Sequence, residues 1–313
     1  MMSHSLSPSR RWNLKASVYR GSARRAMSGV IVYCRLMRPV VVAMVLGSMA
    51  AAALIVGQPP RWPGLAHALL GTGLLIAGAT AANQLMERRW DARMARTASR
   101  PLPSGRATVR EVTVFAVLAT FAGIGYLAVL QPGNLTFLAA LSWCIYVLVY
   151  TPLKRKSVWH IPAGAVAGAM PVLLGPAAVG AAFAPLSLAL FGVVFFWQFP
   201  HTAAIGWLNR EQYARGATRV AAVVDPSGRL AGWLALLGAA GVLLASLVPA
   251  MLGPTGWTYF AVAVSSGLAG LFLAARFLCR PTDARARALW RMSLAQLPAV
   301  LTALVLAGGF FLR

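Results

Sequence analysis

The sequence predicts an all-α polytopic membrane protein of about nine transmembrane helices, and three observations predict it. Of 313 residues, 59% are hydrophobic and 11% charged, with a mean hydropathy of +0.69. The apolar residues gather into nine runs, each of the roughly 20 residues that a bilayer crossing needs. The charges between the runs alternate: 27 of the 29 Lys and Arg fall in the N-terminal tail and in every second loop. That is the positive-inside pattern, and it places the N-terminus in the cytoplasm and the C-terminus outside.

The net charge of +23 would suit nucleic acid on a soluble module. Here the cations lie between apolar runs, where they face anionic lipid headgroups, so the bilayer and not nucleic acid is the expected partner. Cys34, Cys144 and Cys279 are odd in number and form no C-x-x-C pair, which argues against a disulfide framework or a zinc site.

Taken in order, residues 1–38 are basic, Ser-rich and free of acid, with no early apolar run. They read as a largely disordered cytoplasmic tail and not as a secretory signal. Pro39 is placed for a helical first turn. From there one membrane domain fills residues 39–313. The spans are expected at 39–57, 64–86, 110–130, 134–151, 160–180, 186–207, 230–250, 256–278 and 291–311, each bounded by charge or by Pro and Gly.

The loop after the second span carries the main chemical signal. Only six acids occur in the chain, and Glu87 and Asp91 stand four residues apart there, with Asn83 four residues earlier. On a helix the three share one face, and the spacing predicts one amide oxygen and two carboxylates within reach of a single hard cation such as Mg²⁺. Arginines follow at 88, 89, 93, 96, 100 and 106, before the turn Pro101-Leu102-Pro103-Ser104-Gly105. Acids for a metal beside cations suit a metal-bridged diphosphate. The same spacing also occurs on solvated helix faces, and arginines after a span also serve as a topology signal.

Two further cytoplasmic loops share the theme. Tyr150-Thr151-Pro152-Leu153-Lys154-Arg155-Lys156 offers a basic cluster for phosphate oxygens, with His160 just beyond. Trp197-Gln198-Phe199-Pro200-His201 places a histidine at membrane depth, with Glu211 ten residues on. His201 could bind a metal or a porphyrin, or join two helices by a hydrogen bond. Trp143, Tyr146, Tyr150, Phe196 and Trp197 could steady a cation or simply pack. His4 and His67 have no such context. Glu111, Asp225 and Asp283 fall on the same cytoplasmic side. Together these loops fit a substrate with an anionic head at the interface and an apolar tail among the helices.

At this point the sequence resembles a known family. Asn83-x3-Glu87-x3-Asp91-x2-Met94-x-Arg96-Thr97-x2-Arg100-Pro101-Leu102-Pro103-x-Gly105 is similar to the first motif of the UbiA-type intramembrane prenyltransferases, on their protoheme IX farnesyltransferase branch. The likeness continues through Tyr150–Arg155, Gly164-x3-Gly168-Ala169-x-Pro171-x3-Gly175, Trp197-Gln198-x-Pro200-His201, Tyr213-Ala214-Arg215-Gly216 and Ser293-Leu294-x2-Leu297-Pro298. It implies nine helices around a central cavity. A bacterial inner membrane is the expected location, because topology accounts for the basic tail without a transit peptide, with the mitochondrial inner membrane as the alternative. It also implies Mg²⁺-dependent transfer of a farnesyl group from farnesyl diphosphate to a vinyl group of haem b. The product is haem O, for oxidases whose haem A synthase or assembly factors would be partners.

Carried onto this chain, the resemblance gives Asn83, Glu87 and Asp91 to the Mg²⁺–diphosphate and Arg96, Arg100, Lys154 and Arg155 to the leaving group. It gives His201 to the haem, and Glu211 and Tyr213 to the second motif as further substrate-binding candidates. The second motif departs from the family pattern: Gln212 stands where Asp is usual, Thr202 where Phe is usual, and the residues after Gly216 differ. Other readings of the chain are a prenyltransferase with a quinone- or chlorophyll-type acceptor, and a non-catalytic haem-binding relative. A transporter is a more distant reading, since no inverted repeat is visible.

Overall fold

The computed structural model describes residues 29–56, 62–253 and 255–308. Most of the expected tail, residues 1–28, lies outside the described residues, as do 309–313. Among the described residues the elements are helical, and nine helices are long and apolar enough to cross a membrane. The expected spans match all nine, with two differences at charged ends.

Helix α1 (29–37) precedes the first span, where a loose tail was expected, and ends at Arg38 in a left-handed conformation. Leu36 is fully buried, and its carbonyl accepts hydrogen bonds from Gln84 Nε2 (2.8 Å) and Thr80 Oγ1 (3.1 Å). Helix α2 (Pro39–Val56) follows, then α3 (Trp62–Asp91). At 30 residues α3 is about 45 Å long and outruns the expected second span by five residues. Glu87 and Asp91 therefore stand on its last turns and not in a loop. Charge at the membrane surface ends an apolar run without ending a helix.

Helix α4 (Val109–Leu130) opens with a capping box in which Thr108 and Glu111 satisfy each other's backbone amides. Its close fit against α3 depends on Gly71, Gly78 and Gly123, each of which has the other helix where a Cβ would stand. Helix α5 (Gly133–Cys144) runs into a π-helical turn (Ile145–Tyr150) and the short α6 (Thr151–Leu153). The wide turn delivers Tyr146 and Tyr150 to the cavity described below.

The fifth crossing is α7 (His160–Ala169) joined at Met170 to α8 (Pro171–Ala178). Helix α9 (Pro185–Leu208) contains Pro200, and α12 packs against that point through Gly238. Two short surface helices, α10 (Arg210–Arg215) and α11 (Ala221–Val224), lead to α12 (Arg229–Leu252), α13 (Gly256–Cys279) and α14 (Asp283–Gly308). The last helix starts eight residues before the expected span, so Arg285, Arg287 and Arg291 lie on it. Large apolar side chains such as Val129, Met251 and Trp257 are more than four-fifths exposed, which fits contact with lipid tails.

Candidate active site

A cavity of about 500 Å³ lies between α3, the α5–π segment, α7 and α9. Asn83, Glu87 and Asp91 line it, one per turn of α3. Their spacing spans about 12 Å of helix axis. The three face the same cavity from one side of the helix.

Neighbouring residues fix each member of the row. Asn83 is buried, and its Nδ2 donates to Thr151 Oγ1 (3.0 Å), which in turn donates to the Tyr146 carbonyl (2.8 Å). The Asn83 carbonyl oxygen is thereby left to the cavity. Glu87 pairs with Lys154 (2.9 Å), 67 residues away in sequence. Asp91, 1% exposed, pairs with Arg100 at 2.5 Å. Both carboxylates are thus paired, and the remaining arginines leave the cavity lining with an excess of positive charge. Burial opposes the Lys154 charge, but the Tyr150 phenol and the Glu87 carboxylate outweigh it and raise its pKa, so it is an ammonium at neutral pH. Its Nζ lies 4.4 Å over the Tyr150 ring.

Arg155 stacks on Trp90 with its guanidinium 3.0 Å from the ring centre, and its buried Nε has no partner. It lines the cavity as a cation with hydrogen bonds to spare. Arg96 joins two loops: its backbone N–H donates to Gln212 Oε1 (3.4 Å) and its Nη2 to the Tyr213 hydroxyl (3.3 Å). Gln212, which departs from the family pattern, therefore helps to position Arg96. The backbone N–H of Arg219 donates to the Lys154 carbonyl (2.8 Å), which draws the third loop to the second.

His201 lines the same cavity about 10 Å from the cytoplasmic end of α9. Its ring stacks on Trp197 (4.5 Å between centroids) and its Nδ1 meets Ser293 Oγ at 2.9 Å.

Of the residues singled out in the sequence, Asn83, Glu87, Asp91, Arg96, Arg100, Lys154, Arg155, His201 and Tyr213 all line the one cavity. Glu211 does not: it is exposed on α10 and makes no ion pair among the described residues. Helix α9 ends at Asn209, so the ten residues from His201 do not continue along one face. The other acids are structural. Glu111 caps α4, Asp225 accepts from Ser227 and the Leu230 amide, and Asp283 holds Arg210 (3.0 Å) and Trp207 (2.9 Å). Sequence reasoning missed Trp90 and Thr151, although Trp90 is flanked by the arginine run and Asp91.

No group of three or more His, Cys, Asp or Glu gathers around a metal position among the described residues. The donors present are two carboxylates and an amide oxygen. All are hard oxygen ligands, and they leave room in an octahedral shell for diphosphate oxygens and water. That set fits Mg²⁺ held jointly by protein and substrate.

Comparison with known proteins agrees with this geometry. The model of the UbiA prenyltransferase family matches residues 41–297. The protoheme IX farnesyltransferase of Rhodopirellula baltica is 38% identical over 288 residues, covering 87% of this chain and 98% of that protein. A structure of a digeranylgeranylglyceryl phosphate synthase is 16% identical with a TM-score of 0.75, covering 89% of this chain and 98% of that one. A UbiA homologue from Archaeoglobus fulgidus, solved with DMAPP and Mg²⁺, is 15% identical with a TM-score of 0.59, covering 87% of this chain and 98% of that one. On the family match and the Rhodopirellula relative, the chain belongs to the UbiA prenyltransferase family.

Proposed function

We propose that this protein transfers the farnesyl group of farnesyl diphosphate to a vinyl group of haem b, giving haem O, and that it requires Mg²⁺ to do so. The observation that carries the reading is the row Asn83–Glu87–Asp91 facing a cavity whose cations, Lys154, Arg155, Arg96 and Arg100, surround it. The name of the Rhodopirellula relative supports the acceptor. The ligands of the Archaeoglobus homologue support a prenyl diphosphate with Mg²⁺.

On this reading Glu87, Asp91 and the Asn83 carbonyl hold the metal end of the diphosphate. Bound Mg²⁺ supplies Lewis acidity that draws charge onto the phosphate oxygens. Lys154 and Arg100, released from their carboxylates, turn to the leaving group, and Arg155 reaches it from its seat on Trp90. These preorganised cations stabilise the negative charge that grows as the C–O bond opens. The allylic cation left behind is flanked by Tyr146, Tyr150 and Trp143, all on the cavity wall. The apolar walls keep bulk water from it until the vinyl carbon attacks. Water then adds to the resulting benzylic-type cation and supplies the hydroxyl of haem O. The alternation of basic loops supports an N-terminus on the cytoplasmic side, and we assign the protein to a bacterial inner membrane.

The test is haem extraction and mass analysis from cells that lack their own haem O synthase and express this chain, beside its Asp91→Asn variant. Haem O with the parent and none with the variant is the expected result. Haem b alone, with the parent protein present in the membrane, would sink the reading.

A further inference from the structure

We infer that Ser293 is a positioning residue that locks His201 in one tautomer, so that His201 Nε2 enters the cavity as an axial ligand for a metalloporphyrin iron. The inference rests on the reading that haem b is the acceptor.

The argument starts from one proton. Ser293 Oγ lies 2.7 Å from the Trp290 carbonyl and 2.9 Å from His201 Nδ1. A carbonyl oxygen can only accept, so the single hydroxyl proton of Ser293 points at Trp290. The Ser293 oxygen must then accept from His201, which puts the imidazole proton on Nδ1. Nε2 keeps its lone pair, makes no hydrogen bond with the described residues, and belongs to a side chain on the cavity wall. A neutral imidazole whose other nitrogen donates to a fixed oxygen is the usual arrangement of a metal-ligating histidine.

The surroundings hold that orientation. Trp197 stacks on the imidazole with an interplanar angle of 20°, and its indole N–H donates to the Ser293 carbonyl (2.7 Å). Ser293 thus anchors both rings, through its hydroxyl and its carbonyl, 92 and 96 residues from them in sequence. Helix α7, also part of the cavity wall, packs Gly164 against the Tyr150 ring and Gly168 against the Gln198 side chain. His201 and Asn83 line the same cavity, from α9 and α3. His160 also lines the cavity and donates from Nδ1 to the Ser157 carbonyl (2.9 Å). It stands at the first residue of α7, at the membrane surface, and so serves as the internal control.

The experiment titrates haem b into the purified full-length protein in lipid nanodiscs and follows the optical and resonance Raman signatures of histidine–iron ligation. The parent is expected to show histidine ligation. His201→Gly is expected to lose it and to regain it with added imidazole, while His160→Ala keeps it. Ser293→Ala is expected to weaken haem binding about 10-fold. Ser293→Thr, which retains the hydroxyl, is expected to restore it. If haem binds and its spectrum is the same in His201→Gly, the ligand assignment is overturned and the acceptor reading stands. If the folded parent takes up no haem, the acceptor reading falls and this inference with it. If His201→Gly loses ligation but Ser293→Ala matches the parent, Ser293 has no positioning role.

Discussion

Replacing Lys154 with Met is the most direct probe of how the leaving group is stabilised. The Nζ lies 2.9 Å from Glu87 Oε1, and the side chain is 16% exposed, so the charge acts in a poorly screened place. A unit charge that develops about 4 Å from an ammonium gains about 4 kcal/mol at an effective dielectric of about 20. Only part of that charge has developed at the transition state, which leaves roughly 2–4 kcal/mol. The expected loss in kcat is therefore roughly 30-fold to 10³-fold, which overlaps the range seen when one preorganised donor is removed. Met keeps the length and bulk of the side chain but removes the ammonium over Tyr150, and Glu87 loses its partner, so thermal unfolding must show that the fold survives. The assay is single-turnover haem O formation at saturating farnesyl diphosphate, with thermal unfolding followed in parallel. Lys154→Arg should retain most of the rate. A folded Lys154→Met protein with kcat within threefold of the parent would refute the role.

Other outcomes follow from the same geometry. Glu211→Gln should change activity less than twofold in the same assay, because Glu211 is exposed and outside the cavity. Chelation of divalent ions should abolish turnover, and added Mg²⁺ should restore it, while circular dichroism stays constant because Lys154 and Arg100 keep the carboxylates paired. Gly175→Ala should lower stability by about 1–3 kcal/mol, read as a fall in melting temperature, since the added methyl meets the Met49 carbonyl of α2.

Much of this molecule was legible in the sequence because the bilayer permits few solutions. Runs of about 20 apolar residues can only be helices, and the basic loops orient them. The site was legible for a related reason: in a chain with six acids, two at helical spacing beside arginines stand out. What stayed hidden depends on direction and distance. Nothing local says that α3 continues through Glu87 to Asp91, because interfacial charge is equally compatible with a loop. Glu211 looked close to His201 in residue count, but Asn209 ends the helix between them. The partners Lys154 of Glu87 and Ser293 of His201 lie 67 and 92 residues away, separations that only packing can close.

The pairing of both carboxylates in the resting site sets the order in which its ligands can be held. On the proposed assignment, a divalent ion arriving alone would add its charge to a pocket where Lys154 and Arg100 already balance both carboxylates. A diphosphate arriving alone would meet Arg155 and Arg96 but leave Lys154 and Arg100 held by the two acids. Arriving together, the two ligands compensate each other while the side chains exchange partners. Their binding free energies are therefore coupled, and by linkage each ligand tightens the other by the same factor. The pocket behaves as a coincidence detector that commits its cations to catalysis only when metal and prenyl donor are present together.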